Sequence, residues 1–310
     1  MYDLQYGSMR VYEWGPETGR KVLLVHGITT PCVALGSVAN ALVEKGCRVM
    51  LFDLFGRGYS DTPDLPHDTR LYTTQILLAL TSSQLDWTTE GFSLVGYSLG
   101  GGISAEFASY YPDLVRDLVL LAPSGLIRSY HFGWASRAVY SPLLPTWFVD
   151  WIVGRRLRGA SNQKSKEQKD ERDEKVETDK VVNAEIKGNR DPQFESAVLS
   201  KSRPGVTVAS AVQWQVDNHE GFVKSFVSSI KYSPIENQHE TWKKLAEGKG
   251  RLVVIAGQTD AIIKCDELRE DVVEVAGKER VIWREIEGGH EFPITKGGKV
   301  VDLIAEVWGI

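Results

Sequence analysis

Short, continuous apolar runs alternate with longer amphipathic stretches along the first 123 residues of the chain. Continuous runs, unlike strictly alternating ones, are typical of strands that are buried on both faces of a parallel sheet. The alternation therefore predicts an α/β fold, in which a mostly parallel sheet carries helices on both faces. The predicted strands lie at residues 9–14, 21–25, 48–53, 92–96 and 118–122. The helices between them are predicted at about residues 36–45, 70–86 and from 98 onwards.

The buried-strand pattern stops at about residue 124 and resumes at about residue 246. The interval contains several helical stretches and five tryptophans, and we interpret residues 124–245 as a helical insertion between two parts of one core domain, 1–123 and 246–310. Within it, residues 155–190 are strongly charged. A solvated helix or a flexible loop explains this segment better than a partner-binding tail. After the insertion, strands are predicted at 251–256 and 280–286, and helices at 266–276 and 298–308.

Composition narrows the range of partners. The net charge is -5, so the protein has no general attraction for nucleic acid or for an anionic membrane surface. No stretch approaches the roughly 20 apolar residues that a membrane-spanning helix needs. The three cysteines are widely spaced and show neither a disulfide framework nor a metal-binding pattern. With no signal peptide at the start of the sequence, these features predict a cytoplasmic protein without an integral membrane segment.

A serine between glycines follows the apolar run at 92–96, in the sequence GYSLGGG at residues 96–102. A nucleophilic serine needs a sharp turn from a strand into a helix, and flanking glycines leave space where side chains would clash. Ser98 is therefore a candidate nucleophile. The N–H of Leu99 would then lie at the start of the helix, where it can donate to an oxyanion.

A serine nucleophile also needs a base and an acid that orients the base. Of the six histidines, His290 comes just after a late predicted strand, on a glycine-rich loop at the same edge of the sheet as Ser98. Asp260 ends another strand thirty residues earlier and is the candidate acid. The loop after residues 21–25 offers the N–H of Ile28 as a second oxyanion donor, and His26 on that loop is expected to be structural.

The chain order Ser98, Asp260, His290 is that of the α/β-hydrolases. Residues 53–60 strengthen the likeness, because they follow a pattern, Asp-x-x-Gly-x-Gly-x-Ser, that is common in that superfamily. The sequence thus resembles the α/β-hydrolase superfamily, and among its members it is similar to monoacylglycerol lipases and meta-cleavage-product hydrolases. The resemblance implies an eight-stranded sheet, with a helical cap inserted after strand six that corresponds to residues 124–245.

The resemblance and the candidate residues together predict a serine hydrolase without a cofactor or a metal. The expected reaction is cleavage of a carboxylic ester of a medium-sized apolar substrate through an acyl-enzyme, as in carboxylesterases and lipases. Hydrolysis of a lactone, a thioester or a carbon–carbon bond by the same residues is an open alternative. A further alternative is a non-enzymatic receptor that retains the three residues. The substrate and the oligomeric state are not predicted.

Overall fold

The computed structural model describes residues 2–4, 6–131, 144–162, 196–200 and 202–310. Most of the charged segment predicted at 155–190 lies outside these residues, so its interpretation stays a prediction. In the described ranges, no helix is long and apolar enough to cross a membrane.

A seven-stranded sheet forms the centre of the molecule. In chain order the strands of the structure are β1 (Tyr2–Leu4), β2 (Gly7–Met9), β3 (Val11–Trp14), β4 (Lys21–Val25), β5 (Arg48–Phe52), β6 (Phe92–Tyr97), β7 (Val115–Leu121), β8 (Arg251–Gly257) and β9 (Val281–Ile286). The strand order in the central sheet is β3-β5-β4-β6-β7-β8-β9. Neighbouring strands are parallel except for β3 at the edge, which runs antiparallel to β5. This arrangement confirms the predicted α/β fold class.

The central strands are buried on both faces, as their continuous apolar runs predict. Every residue of β6 is buried, and the last four residues of β4 have no exposed surface. Burying one such valine or leucine side chain contributes about 1.5–3 kcal/mol to folding, relative to leaving it in water. The middle of the sheet is therefore fully buried, and β4 and β6 end there side by side, next to the candidate site.

The helices of the core lie close to the predicted ranges. The helix predicted at 70–86 ends earlier, at Thr81, where serine side chains bond the backbone: Ser82 Oγ donates to the carbonyl of Ala79, and Ser83 Oγ accepts from the N–H of Leu85. The helices are α1 (Gly36–Glu44), α2 (Thr69–Thr81), α3 (Leu99–Tyr110), α4 (Thr146–Asn162), α5 (Val208–Asn218), α6 (Phe222–Tyr232), α7 (His239–Glu247), α8 (Cys265–Ala276), α9 (Phe292–Thr295) and α10 (Gly297–Trp308).

The N-terminal region differs from the expected eight-stranded sheet. The strand predicted at 9–14 is divided, because β2 ends at Met9 and pairs with β1 in a separate two-stranded antiparallel sheet. A glycine with positive φ, Gly7, begins β2 and permits the tight reversal between the two strands. The main sheet accordingly has seven strands in the described part of the chain, and the insertion follows the strand predicted at 118–122, which is β7, the fifth strand of this sheet along the chain.

In the described residues between β7 and β8, the regular secondary structure is helical, apart from one isolated β-bridge between Val198 and Thr207. Helix α4 packs against α5 and α6, whereas α7 packs against α3 and α8 of the core. Thr241 on α7 donates to the carboxylate of Glu106 on α3 at 2.7 Å, and Trp242 is fully buried. The last helix of the segment therefore anchors it to the helices that flank the sheet.

Candidate active site

Ser98 lies in a strained turn between β6 and α3. Its backbone has φ 55° and ψ -121°, a conformation that is rare for a residue with a side chain. Such strain costs on the order of 1–3 kcal/mol and persists only where the surroundings enforce it. The N–H of Ser98 donates to Leu121 at 3.0 Å, and its carbonyl accepts from Gly101 and Ser124. These contacts to β7, α3 and the turn after β7 hold the serine in place.

The glycines around Ser98 are required by close backbone approach. A Cβ on Gly96 would lie 2.4 Å from the carbonyl oxygen of Gly100, and a Cβ on Gly100 would lie 2.2 Å from that of Val25. Both distances are shorter than any real carbon–oxygen contact, so a side chain at either position would force the backbone apart. The sequence GYSLGGG therefore forms the sharp strand-to-helix turn that it predicts.

His290 lies on the loop between β9 and α9, and its imidazole reaches Ser98. The distance between His290 Nε2 and Ser98 Oγ is 2.9 Å. Both residues are more than 90% buried. The side chain of Tyr97, directly before Ser98, packs against the same imidazole with ring centroids 5.2 Å apart. Ser98 and the ring that would accept its proton are thus held by one turn.

Asp260 lies three residues after the end of β8 and contacts the other nitrogen of His290. Its Oδ2 is 2.7 Å from His290 Nδ1, and its side chain is fully buried. The second oxygen, Oδ1, accepts hydrogen bonds of 2.8 Å from the N–H groups of Ile262 and Ile263. The carboxylate is fixed from both sides, and it assigns the Nδ1-protonated tautomer to His290, in which Nε2 is the acceptor for the proton of the serine hydroxyl.

The two predicted oxyanion donors belong to segments that meet at Ser98. A Cβ on Gly27 would lie 3.7 Å from Ser98 Oγ, so the loop after β4 passes directly beside the hydroxyl. Leu99 is the first residue of α3, where N–H groups have no partner within the helix. Among the described residues, neither the N–H of Ile28 nor that of Leu99 has a protein acceptor.

His26 has a structural environment. It is fully buried, its Nδ1 donates to the carbonyl of Gly27 at 2.8 Å, and its Nε2 accepts from the N–H of Leu54 at 2.9 Å. Burial lowers the pKa of this imidazole to about 3, which keeps the ring neutral. Because a trans peptide directs its C=O and N–H in opposite directions, the bond to Gly27 also orients the N–H of Ile28.

Three residues near the site were not among the sequence candidates: Tyr97, Arg57 and Gln215. The hydroxyl of Tyr97 donates to the carbonyl of His290 at 2.8 Å, and Arg57 and Gln215 donate to the loop that carries Ile28. Tyr97 and Arg57 lie inside motifs that the sequence identifies, so a search of those motifs for further polar residues finds them. No sequence signal singles out Gln215, because its partners are 157 and 186 residues away.

The side chains around the site were compared with those that metal ions require. Across the described ranges, no three histidine, cysteine, aspartate or glutamate side chains are grouped so that they could hold a metal ion. Cys32, which follows the loop at residues 26–31 that carries Ile28, is buried, and burial raises the pKa of its thiol well above the usual range. The chemistry available at the site is proton transfer between a hydroxyl and an imidazole.

The sheet order and the serine turn together define an α/β-hydrolase fold. Comparison with known proteins agrees. The sequence profile of the family described as serine aminopeptidase, S33, matches residues 16–189, more than half of the chain. The chain therefore belongs to this family of α/β-hydrolases.

Individual relatives are more distant. A serine hydrolase-like protein of Danio rerio is 23% identical over 308 residues, which cover 97% of this chain and 85% of that protein. A serine hydrolase-like protein of Dictyostelium discoideum is 33% identical over 117 residues, but the match spans only 37% of this chain and 32% of the relative. Among solved structures, a thermophilic esterase of Thermogutta terrifontis superposes with a TM-score of 0.64 at 18% identity, covering 97% of this chain and 92% of the esterase.

Proposed function

We propose that this protein is a serine hydrolase that cleaves carboxylic esters of medium-sized apolar substrates through an acyl-enzyme. The observation that carries the proposal is the continuous hydrogen-bonded series from Ser98 Oγ through His290 to Asp260, with distances of 2.9 and 2.7 Å. A serine hydroxyl is a weak nucleophile until a neighbouring base takes its proton. The series supplies that base and the acid that orients it.

In the acylation step, Ser98 Oγ attacks the ester carbonyl while its proton moves to His290 Nε2. The carbonyl oxygen becomes an oxyanion, and the N–H groups of Ile28 and Leu99 donate to it. Asp260 stabilises the imidazolium that forms, without taking its proton. Collapse of the tetrahedral intermediate breaks the bond to the alcohol oxygen, which leaves with the proton from His290, and an acyl-Ser98 ester remains.

In the deacylation step, His290 takes a proton from water as the water oxygen attacks the acyl-serine carbonyl. The same two N–H groups bind the second oxyanion. The intermediate releases the carboxylic acid, and the proton on His290 returns to Ser98 Oγ. The starting state is restored, so no cofactor or redox partner is consumed.

We assign substrate selection to residues 124–245, as a helical cap over the site. Its composition supports an apolar acyl or aromatic group, since it contains five of the nine tryptophans. Two of these, Trp147 and Trp151, lie on the exposed side of α4, opposite the buried Val149 and Val153. Similarity to serine hydrolase-like relatives and to an esterase of the same fold also favours ester hydrolysis.

The three cysteines are buried free thiols, in keeping with a cytoplasmic location.

Turnover of p-nitrophenyl esters of increasing acyl length tests the proposal, with matched thioesters and lactones assayed in parallel. We expect a maximum at intermediate acyl length and loss of turnover in the Ser98→Ala variant. Faster hydrolysis of the thioester or the lactone series would replace the ester assignment. If wild-type protein turns over none of the three series, while an unrelated ligand raises its melting temperature, the protein is a binding protein and the proposal is wrong.

A further inference from the structure

The loop at residues 26–31 carries Ile28, whose N–H is a proposed oxyanion donor, and we call it the oxyanion loop. Two buried side chains from outside this loop donate hydrogen bonds to its carbonyl groups. The carbonyl of Ile28 accepts a hydrogen bond of 2.5 Å from Arg57 Nε, and the carbonyl of Thr29 accepts one of 2.9 Å from Gln215 Nε2. Gln215 lies on α5 in the helical insertion, and Arg57 lies on the loop after β5. The loop is thus fixed partly by a residue that does not belong to the sheet domain.

Gln215 connects the insertion with two separate segments of the core. Its side chain has no exposed surface, and while Nε2 donates to Thr29, its Oε1 accepts from the N–H of Gly58 at 2.9 Å. The amide is therefore satisfied in one orientation only, because the carbonyl needs a donor and the N–H needs an acceptor. A buried amide with both ends bonded to backbone restricts how α5 can shift without moving the loop at Ser98.

Arg57 extends the same connection to α6. Its guanidinium is fully buried, and besides Ile28 it donates to Ser225 Oγ at 2.5 Å and to Ser229 Oγ at 3.3 Å, both on α6. The rings of Phe222 and Phe226 pack against it at 5.4 and 5.9 Å. Two helices of the insertion thus reach Ile28 and Thr29, the first directly through Gln215 and the second through Arg57.

We infer that Gln215 is a positioning residue for the oxyanion site, and that the seating of the helical insertion on the core fixes the two peptide groups that follow the Ile28 N–H, whose own peptide group is held by His26. This inference rests on the proposed function, since it assigns the loop to oxyanion stabilisation. Oxyanion donors act by being fixed in advance, and loss of one lowers kcat by about 10²–10³-fold. A loop released from Gln215 keeps its donors but loses their alignment.

The test compares Gln215→Met with Gln213→Met in the full chain. Methionine has nearly the shape of glutamine but makes neither hydrogen bond. Gln213 lies on the same helix, and its amide bonds Asp217 on that helix, so the control carries the same substitution without contact to the loop. We expect Gln215→Met to lower kcat for the best p-nitrophenyl ester about 10-fold or more, with KM within twofold of wild type. The rate constant for inactivation by a fluorophosphonate should fall by a similar factor, and Gln213→Met should match wild type.

A change in KM alone would overturn the inference, because it would place Gln215 in substrate binding. Wild-type kcat in a folded Gln215→Met variant would also overturn it, while leaving the proposed function intact. If instead wild-type protein has neither ester turnover nor fluorophosphonate labelling, the proposed function itself fails. Should Gln215→Met not fold, Ser225→Ala removes one Arg57 contact with little change in volume, and a kcat equal to that of wild type would contradict the account.

Discussion

The hydroxyl of Tyr97 donates a hydrogen bond of 2.8 Å to the main-chain carbonyl of His290. The residue before the serine therefore fixes the backbone of the residue that faces it, and the ring of Tyr97 packs against the imidazole as well. The turn that carries Ser98 and the loop that carries His290 are therefore not positioned independently of each other. One side chain links the turn after β6 with the loop after β9.

Removal of that hydroxyl should weaken catalysis without unfolding the protein. In Tyr97→Phe the ring contact remains, but the His290 carbonyl loses its buried donor, which costs about 1–3 kcal/mol locally. We expect kcat for an ester to fall by about 3- to 10-fold, with KM nearly unchanged, because misalignment affects the chemical step. Steady-state kinetics check this. Tyr232→Phe is the control, since Tyr232 is exposed on α6, and equal kinetics in both variants would contradict the positioning role.

Asp260→Asn should be far more damaging, although it preserves shape. An asparagine can present its N–H₂ group to His290 Nδ1 and favour the tautomer that leaves a proton on Nε2, the nitrogen that must accept one from Ser98. Loss of the orienting carboxylate lowers kcat by about 10⁴-fold in the chymotrypsin-like enzymes, and we expect a loss of at least about 10³-fold here. Asp266→Asn, at the exposed start of α8, is the matched control. If Asp260→Asn lowers kcat by less than about tenfold, Asp260 is not the acid that orients His290.

The glycine at position 100 is predicted to be essential for stability. In Gly100→Ala the new methyl group would overlap the carbonyl oxygens of Val25 and His26, at 2.2 and 2.5 Å. Overpacking of this kind typically costs about 1–3 kcal/mol. Gly298, inside α10, has nothing within 4 Å of a new Cβ, so Gly298→Ala should be neutral or stabilising. Urea denaturation of the two variants measures the difference, and equal midpoints would contradict the packing described for the serine turn.

Stability should fall in mild acid because of buried histidines. Burial lowers the pKa of both His26 and His67 from 6.5 to about 3. A histidine with a lowered pKa in the folded state binds protons mainly when the chain unfolds, so the stability it provides above pH 6.5 is lost as the pH falls towards 3. Each such histidine lowers the free energy of unfolding by up to about 1.4 kcal/mol per pH unit in that interval.

His67→Phe separates one of these contributions from the rest. Phenylalanine can keep the edge contact with Tyr72, whose ring centroid is 5.9 Å from that of His67, but it does not titrate. Between about pH 6 and pH 5, the free energy of unfolding of His67→Phe should fall less steeply than that of wild type, by up to about 1.4 kcal/mol per pH unit. Equilibrium urea denaturation at several pH values measures both slopes. Identical slopes would show that His67 is not a neutral buried group.

Much of the core could be predicted because local pattern and tertiary burial agree there. The apolar run at 92–96 predicts a strand buried on both faces, and β6 has that environment over its whole length. The hairpin of β1 and β2 escaped prediction because three-residue strands carry too little pattern. Likewise, α2 ends at Thr81, where the side chains of Ser82 and Ser83 bond the backbone, and the apolar pattern alone does not show this end because it continues beyond it.

In the site, the sequence identifies residues at strand ends but not their supports. Ser98, Asp260 and His290 all follow strands, and parallel strands end at one edge of a sheet, so their meeting follows from topology. Arg57 is different, because a charged residue between two glycines is expected at the surface, whereas the fold buries it completely. The local sequence around Gln215 gives no indication of its role, because the residue acts through hydrogen bonds to the backbone of Gly58 and Thr29 in distant segments.

The nucleophilic role of Ser98, activated by His290, is the proposal on which the other predictions for the site depend. Its most direct test is incubation of wild-type protein with a fluorophosphonate, followed by intact mass measurement and mapping of the modified peptide. We expect one phosphonyl adduct per chain, located on Ser98, and no adduct in either Ser98→Ala or His290→Ala. An adduct on another residue, or an unmodified Ser98 in folded wild-type protein, would contradict it.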